Sequence, residues 1–515
     1  MTTPQTKSWL DTVALGIDKT IGLFSPRVGF DRARYRYATA LYESAKPRQN
    51  GSRTKPDNAS ANLLSLKAAG NLRGYARVLE QNSDLAKGVL DTLVNNIVGA
   101  NGINVEPMPR DIDGNLHREF AAELLKYWTD FKKNPEVTWE HRWAQVERLM
   151  CRAWLRDGEA FMQHLEGIII GLDHGTKVPY SVEMIEADYL PHTYIDGANG
   201  VEQSIERNGW GRARAYWVLK EHPLDTGIRW ASLSAGSMRR IAAKQMTHLK
   251  MVNRFRQSRG ISIFATVMQR LENIAEYEAS EQVAARVASA MCAVITKGDA
   301  ADYSPPAADE NGEMPKRAMK FAPGMMMELN PGEGIETINS NRPSSLLGEF
   351  RYMMLRAVCS GTGANFHSVA KDFNGTYVGL RLSGIDSYNN YSVLTNEFVA
   401  AVTSPVYERF VKMAVLSGVI NKPHDLDWDT LFDAQYFGPK MPSADPLKET
   451  RANIEAIAAG LKSSQQAIRE DGRNPDATME QNSQWAKDAR DKQLVFSTSP
   501  LGTAPALMDN QTTSG

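Results

Sequence analysis

From Gly260 to Ile295 the chain carries no glycine or proline after its first residue. A helix over that stretch would extend about 50 Å, beyond the usual length of a globular helix. A rod of that size cannot bury both ends inside one small domain. Such rods pack side by side in bundles or stand in rings of repeated subunits. The rod opens a block from Ser258 to Gly418 that reads as helix, insert, helix, glycine-punctuated loop, helix. The insert between 296 and 342 is rich in proline and glycine, which exclude a long helix there. Met319 to Leu329 reads as short strands, and a second helix runs from Ser344 to about Val358. Ser360-Gly361-Thr362-Gly363 reads as its break. A further helical pattern covers Leu380 to Leu416, with Pro405 expected to kink it.

Ahead of this block the chain is mixed α+β. Ala61 to Val98 has helical apolar spacing with a turn at Asn82 to Asp84, where Ser83 fits an N-cap. Helices are predicted over Leu116 to Phe131 and Trp139 to Leu155. Strands are predicted over Ile103 to Pro107, Glu159 to Ile170, Tyr180 to Ile185, Arg212 to Leu219 and Met246 to Met251. Behind it, Lys448 to Leu461 reads as a helix and Ser464 to Lys492 as a helical hairpin. Residues from Ser497 onward lack periodicity and read as disordered. At the start, apolar residues at 9, 10, 13, 17 and 21 predict a short docking helix, interrupted by Asp11, Asp18 and Lys19 and so without a signal-peptide core.

Composition narrows the function. The 515 residues suggest about three or four domain-sized units, and 42% hydrophobic content suffices for real cores. A net charge of −1 argues against a whole-protein nucleic-acid clamp. Residues 1–57 are locally basic, with ten Lys or Arg against five Asp or Glu, a difference of +5. Arg32, Arg34 and Arg36 alternate there with Ala33, Tyr35 and Tyr37. This reads as a solvated arm packing on an acidic neighbour, with nucleic-acid contact as the alternative. Cys151, Cys292 and Cys359 have no paired spacing, which fits packed thiols in a reducing compartment. No apolar run reaches the length of a membrane helix.

The common catalytic signatures are missing: no G-x-x-x-x-G-K-[ST], no HExxH, no G-x-S-x-G and no CxxC. The nine histidines show no metal-ligand spacing, so neither a metal nor a cofactor is expected. Gly361-Thr362-Gly363 follows a helix, the wrong context for a phosphate loop. A nuclease or terminase-type enzyme would need a carboxylate cluster holding a metal. One charge pattern carries physics. Glu272, Glu276, Glu278 and Glu281 lie on the rod with no Lys or Arg between Leu271 and Ala285. A solvated face is the simple explanation. In a ring, an inward acidic stripe would repel DNA phosphates and keep a duplex from sticking.

Over nearly its whole length the chain resembles the lambda-like portal family of tailed bacteriophages. Ser25-Pro26 with Arg32, Arg34, Arg36 and Tyr42-Glu43 is similar to the family's opening. Leu72-Arg73-Gly74-Tyr75-Ala76-Arg77 with Gln81-Asn82, and Leu93-Val94-Asn95-Asn96-Ile97-Val98-Gly99, resemble its N-terminal signature. Glu186-Ala187-Asp188-Tyr189-Leu190, Tyr216-Trp217-Val218 with His222-Pro223, and His248 followed by Gln257-Ser258-Arg259-Gly260 continue in order. Pro323-Gly324 and Leu329-Asn330-Pro331-Gly332-Glu333 resemble its central segment. Asp372-Phe373 with Thr376-Tyr377 and Arg381 is similar to its D-F-S-x-x-N-Y-S-S-x-R motif, one residue shorter here. Gly379 stands where the family usually has serine. Asp445-Pro446-Leu447-Lys448-Glu449 and Gly460-Leu461 close the match.

The resemblance implies a mainly helical α+β portal fold with wing, stem, clip, tunnel loop and crown, assembled as a ring, and a structural protein with no enzymatic activity. It divides the chain into a basic arm (1–57), wing (58–259), stem helix (260–295), clip (296–342) and second stem helix (343–362). A tunnel loop (363–378), a kinked wing-spanning helix and return (379–440), a crown (441–496) and a disordered tail (497–515) follow. It further implies a dodecameric homo-oligomer at one capsid vertex that nucleates procapsid assembly and passes double-stranded DNA. Its implied partners are the terminase large subunit, major capsid and scaffold proteins, and head-completion or tail adaptor proteins, in a virion assembled in host cytoplasm. Lys371, Asp372, Asn374 and Thr376 become candidates for tunnel-loop side chains near DNA. Glu272, Glu276, Glu278 and Glu281 become candidates for an acidic stem lining. The alternative is another ring-forming connector or adaptor with no conduit role.

Overall fold

The structure, a computed structural model, describes residues 59–223, 235–289, 293–297, 333–337, 347–441 and 445–492. The expected N-terminal helix, the arginine stripe at 32–36, the strands within Met319 to Leu329 and the tail from Ser497 lie outside the described residues. The chain divides into two compact units, one of Met1–Ala265 with Gly363–Gly515 and one of Thr266–Thr362.

In the first unit, α1 (Ala61–Asn82) starts where Ser60 Oγ accepts from Leu63 N. Ser83 ends it and caps α2 (Asp84–Ile97), accepting from Ala86 N as its spacing predicts. β1 (Asn104–Pro107), α3 (Arg118–Phe131) and α4 (Trp143–Asp157) follow. The α4 start lies later than Trp139 because Trp139 takes φ +60° and the Glu136 carboxylate gathers the N–H groups of Thr138, Glu140 and His141. That local turn competes with the helix and wins. Gly158 ends α4 at φ +87°, and a Cβ there would lie 2.4 Å from the Ile261 backbone. Only glycine fits.

β2 (Glu159–Glu166), β3 (Tyr180–Ile185), β4 (Val201–Glu202), β5 (Ile205–Arg207), β6 (Ala213–Leu219), β7 (Met238–Ala242) and β8 (Met246–Lys250) form two antiparallel sheets. Their orders are β3-β2-β8 and β4-β5-β6-β7. Between them lies a core of Phe161, Leu190, Ile205, Val218 and Ile241. A second, aromatic core joins the helices. Trp128 of α3 packs 5.1 Å from Phe131 and 5.2 Å from Phe410 between ring centres, and 5.5 Å from Tyr407. Such offset and edge contacts add about 0.5–1.5 kcal/mol each beyond burial.

The second unit departs from expectation at both ends of its rod. α5 is Met268–Ser289, not a helix from Gly260. Gly260 is pressed against Gly158, and Ile261 N donates to Met251 O, so these residues serve the end of β8 before a helix can begin. At the far end β9 (Ala293–Lys297) replaces helix and pairs antiparallel with β10 (Glu333–Thr337). Val294, Ile295 and Thr296 are β-branched, which favours the strand. α6 (Leu347–Thr362) runs through Gly361, so the glycine run does not break it until Gly363 at φ +71°. A Cβ on Gly361 would sit 2.5 Å from Val267 Cγ1, which explains the glycine as a close-packing residue.

Back in the first unit come α7 (Phe366–Ala370) and α8 (Tyr377–Phe398), then a π-helical turn (Val399–Thr403) and α9 (Ser404–Leu416). The expected proline kink takes this form: Ser404 N donates to Val399 O, five residues back, just before Pro405 in the first turn of α9. β11 (Ala434–Phe437) returns to pair with β1. α10 (Pro446–Ala458), α11 (Ser464–Glu470) and α12 (Pro475–Asp491) complete the unit, the last two as the predicted hairpin.

Candidate functional site

The sequence motifs that looked scattered meet in space. Arg259 is fully buried, and its Nε and Nη2 donate to Glu159 at 2.8 and 2.6 Å. Its Nη1 donates to the carbonyls of Leu190 and Gln203, both at 2.9 Å, and its guanidinium lies 5.5 Å from the Phe161 ring centre. Glu159 also accepts from Gly260 N and from His248 Nε2, each at 3.1 Å. Burial pushes this carboxyl up, but the Arg259 and His248 contacts prevail and hold it well below the usual range. Arg73 and Arg77, four apart on one face of α1, pair with Asp188 at 3.3 and 2.6 Å, and Arg77 reaches Asp157 at 2.8 Å. Arg156 adds Asp157 and Glu80. The network ties α1 and α4 to the β2 sheet. Each of these buried charges is answered by another, which is scaffold chemistry.

Glu186, Asp188 and His222 place three ligand-type atoms within 4.8 Å of one another. The 34-residue gap hides this from any spacing rule. Asp188 already faces two guanidiniums, whose charge opposes a cation at the same oxygens. The trio therefore reads as the rim of the ion-pair network.

The four loop candidates do come together, on the segment between α7 and α8. Lys371 takes a left-handed φ of +54° at the end of α7. Asp372 is half-buried; its carbonyl contacts His367 Nδ1 at 2.9 Å and its carboxylate accepts from Asn374 N at 3.0 Å. Thr376 Oγ accepts from Gly379 N and caps α8, so its side chain is committed to the helix. Lys371 and Asn374 are exposed with no side-chain partner among the described residues. Behind them Asn365 is locked onto α8 through Tyr391, Ser383 and Ser387. The loop is polar, exposed and held in one shape.

The four stem glutamates divide between two sides of α5. At about 100° per residue, Glu272 and Glu276 lie about 40° apart on one side of α5, while Glu278 and Glu281 fall on the opposite side. Glu278 pairs with Arg351 of α6 at 2.6 Å, and Glu281 is 2% exposed. Glu276 is exposed and Glu272 half-buried, with the Glu272 carboxyl raised by burial and by Glu276. The four therefore do not share one face, because packing against α6 engages Glu278 and buries Glu281.

One functional-looking residue escaped sequence reasoning. Glu147 on α4 is fully buried and accepts from Ile103 N at 2.9 Å and from Thr403 Oγ, in the π turn, at 2.7 Å. Burial pushes its carboxyl up to about 7. It sits about one turn into an ordinary amphipathic helix, and nothing local marks it. Thr395 Oγ, on α8, donates to Ile97 O at 3.0 Å, so the connection from α2 to β1 is held directly from α8 and, through Glu147, from the π turn.

The ion pairs tie the helices to the sheets, and the polar loop between α7 and α8 is pinned by its own backbone contacts. The profile described as "Phage portal protein, lambda family" matches residues 46–394, more than half of the chain, and the chain belongs to that family. Its members are structural components of the phage virion, not enzymes. A curated relative, the "Probable portal protein" of Halomonas phage phiHAP-1, is 24% identical over 447 residues, spanning 85% of this chain and 84% of the relative. Among solved structures, the neck of an empty GTA particle computed with C6 symmetry aligns with TM-score 0.44 at 14% identity, covering 78% of this chain and 93% of that one. The virion of a native gene transfer agent particle aligns with TM-score 0.44 at 12% identity, covering 85% and 99%.

Proposed function

We propose that this chain is the subunit of a closed dodecameric portal ring at one capsid vertex, through which double-stranded DNA is packaged by terminase and later ejected. The observation that carries this reading is the unit Thr266–Thr362. In it α5 and α6 pack along each other through Glu278–Arg351 and Tyr277–Phe350, and β9 and β10 pair between them in sequence. Two helices joined through a strand pair suit a stem that leads into a clip. In this reading 58–259 and the kinked α8–α9 segment form the wing, 296–342 the clip, 363–378 the tunnel loop and α10 to α12 the crown. Lys371 and Asn374 face the DNA path, with Asp372 and Thr376 shaping their loop. Glu272 and Glu276 line the stem and keep the duplex from adhering. The clip receives terminase during packaging and head-completion proteins afterwards, and the ring nucleates procapsid assembly with capsid and scaffold proteins.

Negative-stain imaging of the purified full chain tests the proposal. Rings with an axial opening wide enough for a duplex are expected. Monomers or dimers under assembly conditions would refute it, as would ATP hydrolysis or Mg²⁺-dependent DNA cleavage by the purified protein.

A further inference from the structure

The hairpin between β2 and β3 carries Gly167-Ile168-Ile169-Ile170-Gly171. Ile168 is 97% exposed and Ile170 fully so. A loose loop does not account for them, because the hairpin is pinned at its root. Gly167 N donates to Pro179 O at 2.9 Å, and Leu172 N donates to Ile169 O at 3.1 Å. The buried His174 joins the two sides, its Nε2 contacting Gly167 O at 2.8 Å and its Nδ1 contacting Ser181 Oγ at 2.9 Å. Trp139, 47% exposed, keeps its left-handed φ of +60°, a strained conformation for so large a residue. It lies against Gly175 of the same hairpin, where a Cβ would sit 2.9 Å from the indole. Three large apolar side chains shown to solvent around one rigid hairpin mark an interaction surface.

Beside the hairpin runs a groove of about 690 Å³ along α3. Its charged lining is Lys126, Asp130, Lys133 and Lys177, with Leu125 and Tyr127 among the rest. Asp130 is taken by Lys133 at 3.0 Å. Lys126 and Lys177 are exposed and have no ion-pair partner among the described residues. The hairpin's own carboxylates are engaged: Asp173 accepts from Gly175 N at 2.8 Å, and Glu166 pairs with Arg409 and Lys412. Glu123 and Glu140 do not line the groove. The β2–β3 register ends with Glu166 opposite Tyr180, and the Gly167–Pro179 bond extends it, so Lys177 falls across from the isoleucines. An aliphatic knob therefore adjoins a concave trough with three cations against one anion.

We propose that the β2–β3 hairpin and the adjoining face of α3 dock an acidic, apolar segment of another protein. Aliphatic side chains of that segment cover Ile168 and Ile170, and its carboxylates meet Lys126 and Lys177. Duplex DNA offers phosphates for the lysines but nothing for the isoleucines. A bilayer surface is flat and does not enter a groove. The docking surface lies outside the stem helices and the loop between α7 and α8, and it holds independently of the ring reading.

Fluorescence anisotropy of the full chain with a labelled synthetic peptide tests this. The probe is a peptide of about 18 residues with leucine on one helical face and glutamate on the other. Saturable binding is expected, weakened at least about tenfold by joint Ile168→Ser and Ile170→Ser, and as much by joint Lys126→Glu and Lys177→Glu. Joint Lys126→Arg and Lys177→Arg should keep it. All these variants should melt with the wild type, because the four side chains are exposed. Control peptides with serine for leucine, or lysine for glutamate, should bind at least about tenfold more weakly. No saturable binding, or binding that either disruptive pair leaves unchanged, would overturn the inference. Self-association in sedimentation that the isoleucine substitutions abolish would also overturn it, since a second copy would then be the occupant. So would tighter binding to a short DNA duplex, or to phosphatidylglycerol vesicles, than to the peptide, lost with the same two lysines.

Discussion

Replacing Arg259 by methionine removes the cation at the centre of the buried network. Glu159 would lose its bidentate partner, and the carbonyls of Leu190 and Gln203 would lose their donor together. Breaking a buried pair by deleting one member costs about 3–5 kcal/mol, because the remaining charge stays desolvated. The two orphaned carbonyls, at about 1–3 kcal/mol each, overlap with that figure and argue for its upper half. At roughly 2 °C per kcal/mol for a large folded unit, melting should fall by about 8–10 °C. Tryptophan fluorescence is a suitable probe, since Trp154 and Trp143 are buried in the same unit. Arg259→Lys should recover less than half of the loss, because an ammonium cannot make the two-pronged contact and reach both carbonyls. Joint replacement of Arg259 by methionine and Glu159 by leucine should cost less than the two single changes summed. An Arg259→Met protein melting within 1 °C of wild type would refute the claim that this network organises the fold.

The buried titrating groups set opposite pH slopes. Burial lowers His164 to about 3 and His248 to about 4, so the unfolded chain takes up protons that the folded one refuses, and stability should fall as pH drops from about 6.5 to about 4. Glu147, raised to about 7, holds a proton in the fold that the unfolded chain releases above about 4.5, so it costs stability as pH rises from about 4.5 to 7. Glu147→Gln should therefore stabilise at pH 8 by about 1–3 kcal/mol and steepen the acid-side loss; a variant less stable than wild type in urea melts at pH 8 contradicts this. Gly158→Ala should cost at least about 2 kcal/mol in the same assay, from its left-handed φ and the contact with Ile261. Joint reversal of Glu272 and Glu276 to lysine should raise duplex affinity of the assembled protein at least about tenfold at low salt, an effect lost as salt rises. Glu278→Lys, on the side facing Arg351, should not; equal DNA binding by both would sink the lining.

Much of the secondary structure was legible because its signals are local. Ser83 could be assigned as a cap from its spacing, and the strand from Tyr180 to Ile185 from its β-forming run. The misses share a cause. The rod begins at Met268 because Gly260 and Ile261 are needed against Gly158 and Met251, partners far away in sequence. β4, β5, β7 and β11 are short and owe their existence to the strands beside them. The glutamate stripe was real as a sequence pattern, but the helix pitch and the α6 partner divided it.

The chain's sequence by itself determined its family, its helical spacing and the absence of familiar catalytic motifs, since each is written in residue order. Only the tertiary structure decided what the motif residues do. Arg73, Arg77, Asp188, His248 and Arg259 are separated by long stretches of chain, and buried charges can be stable only where opposite charges meet them. That meeting is a property of the folded chain, as is the burial that raises Glu147 and the packing that leaves Ile168 exposed.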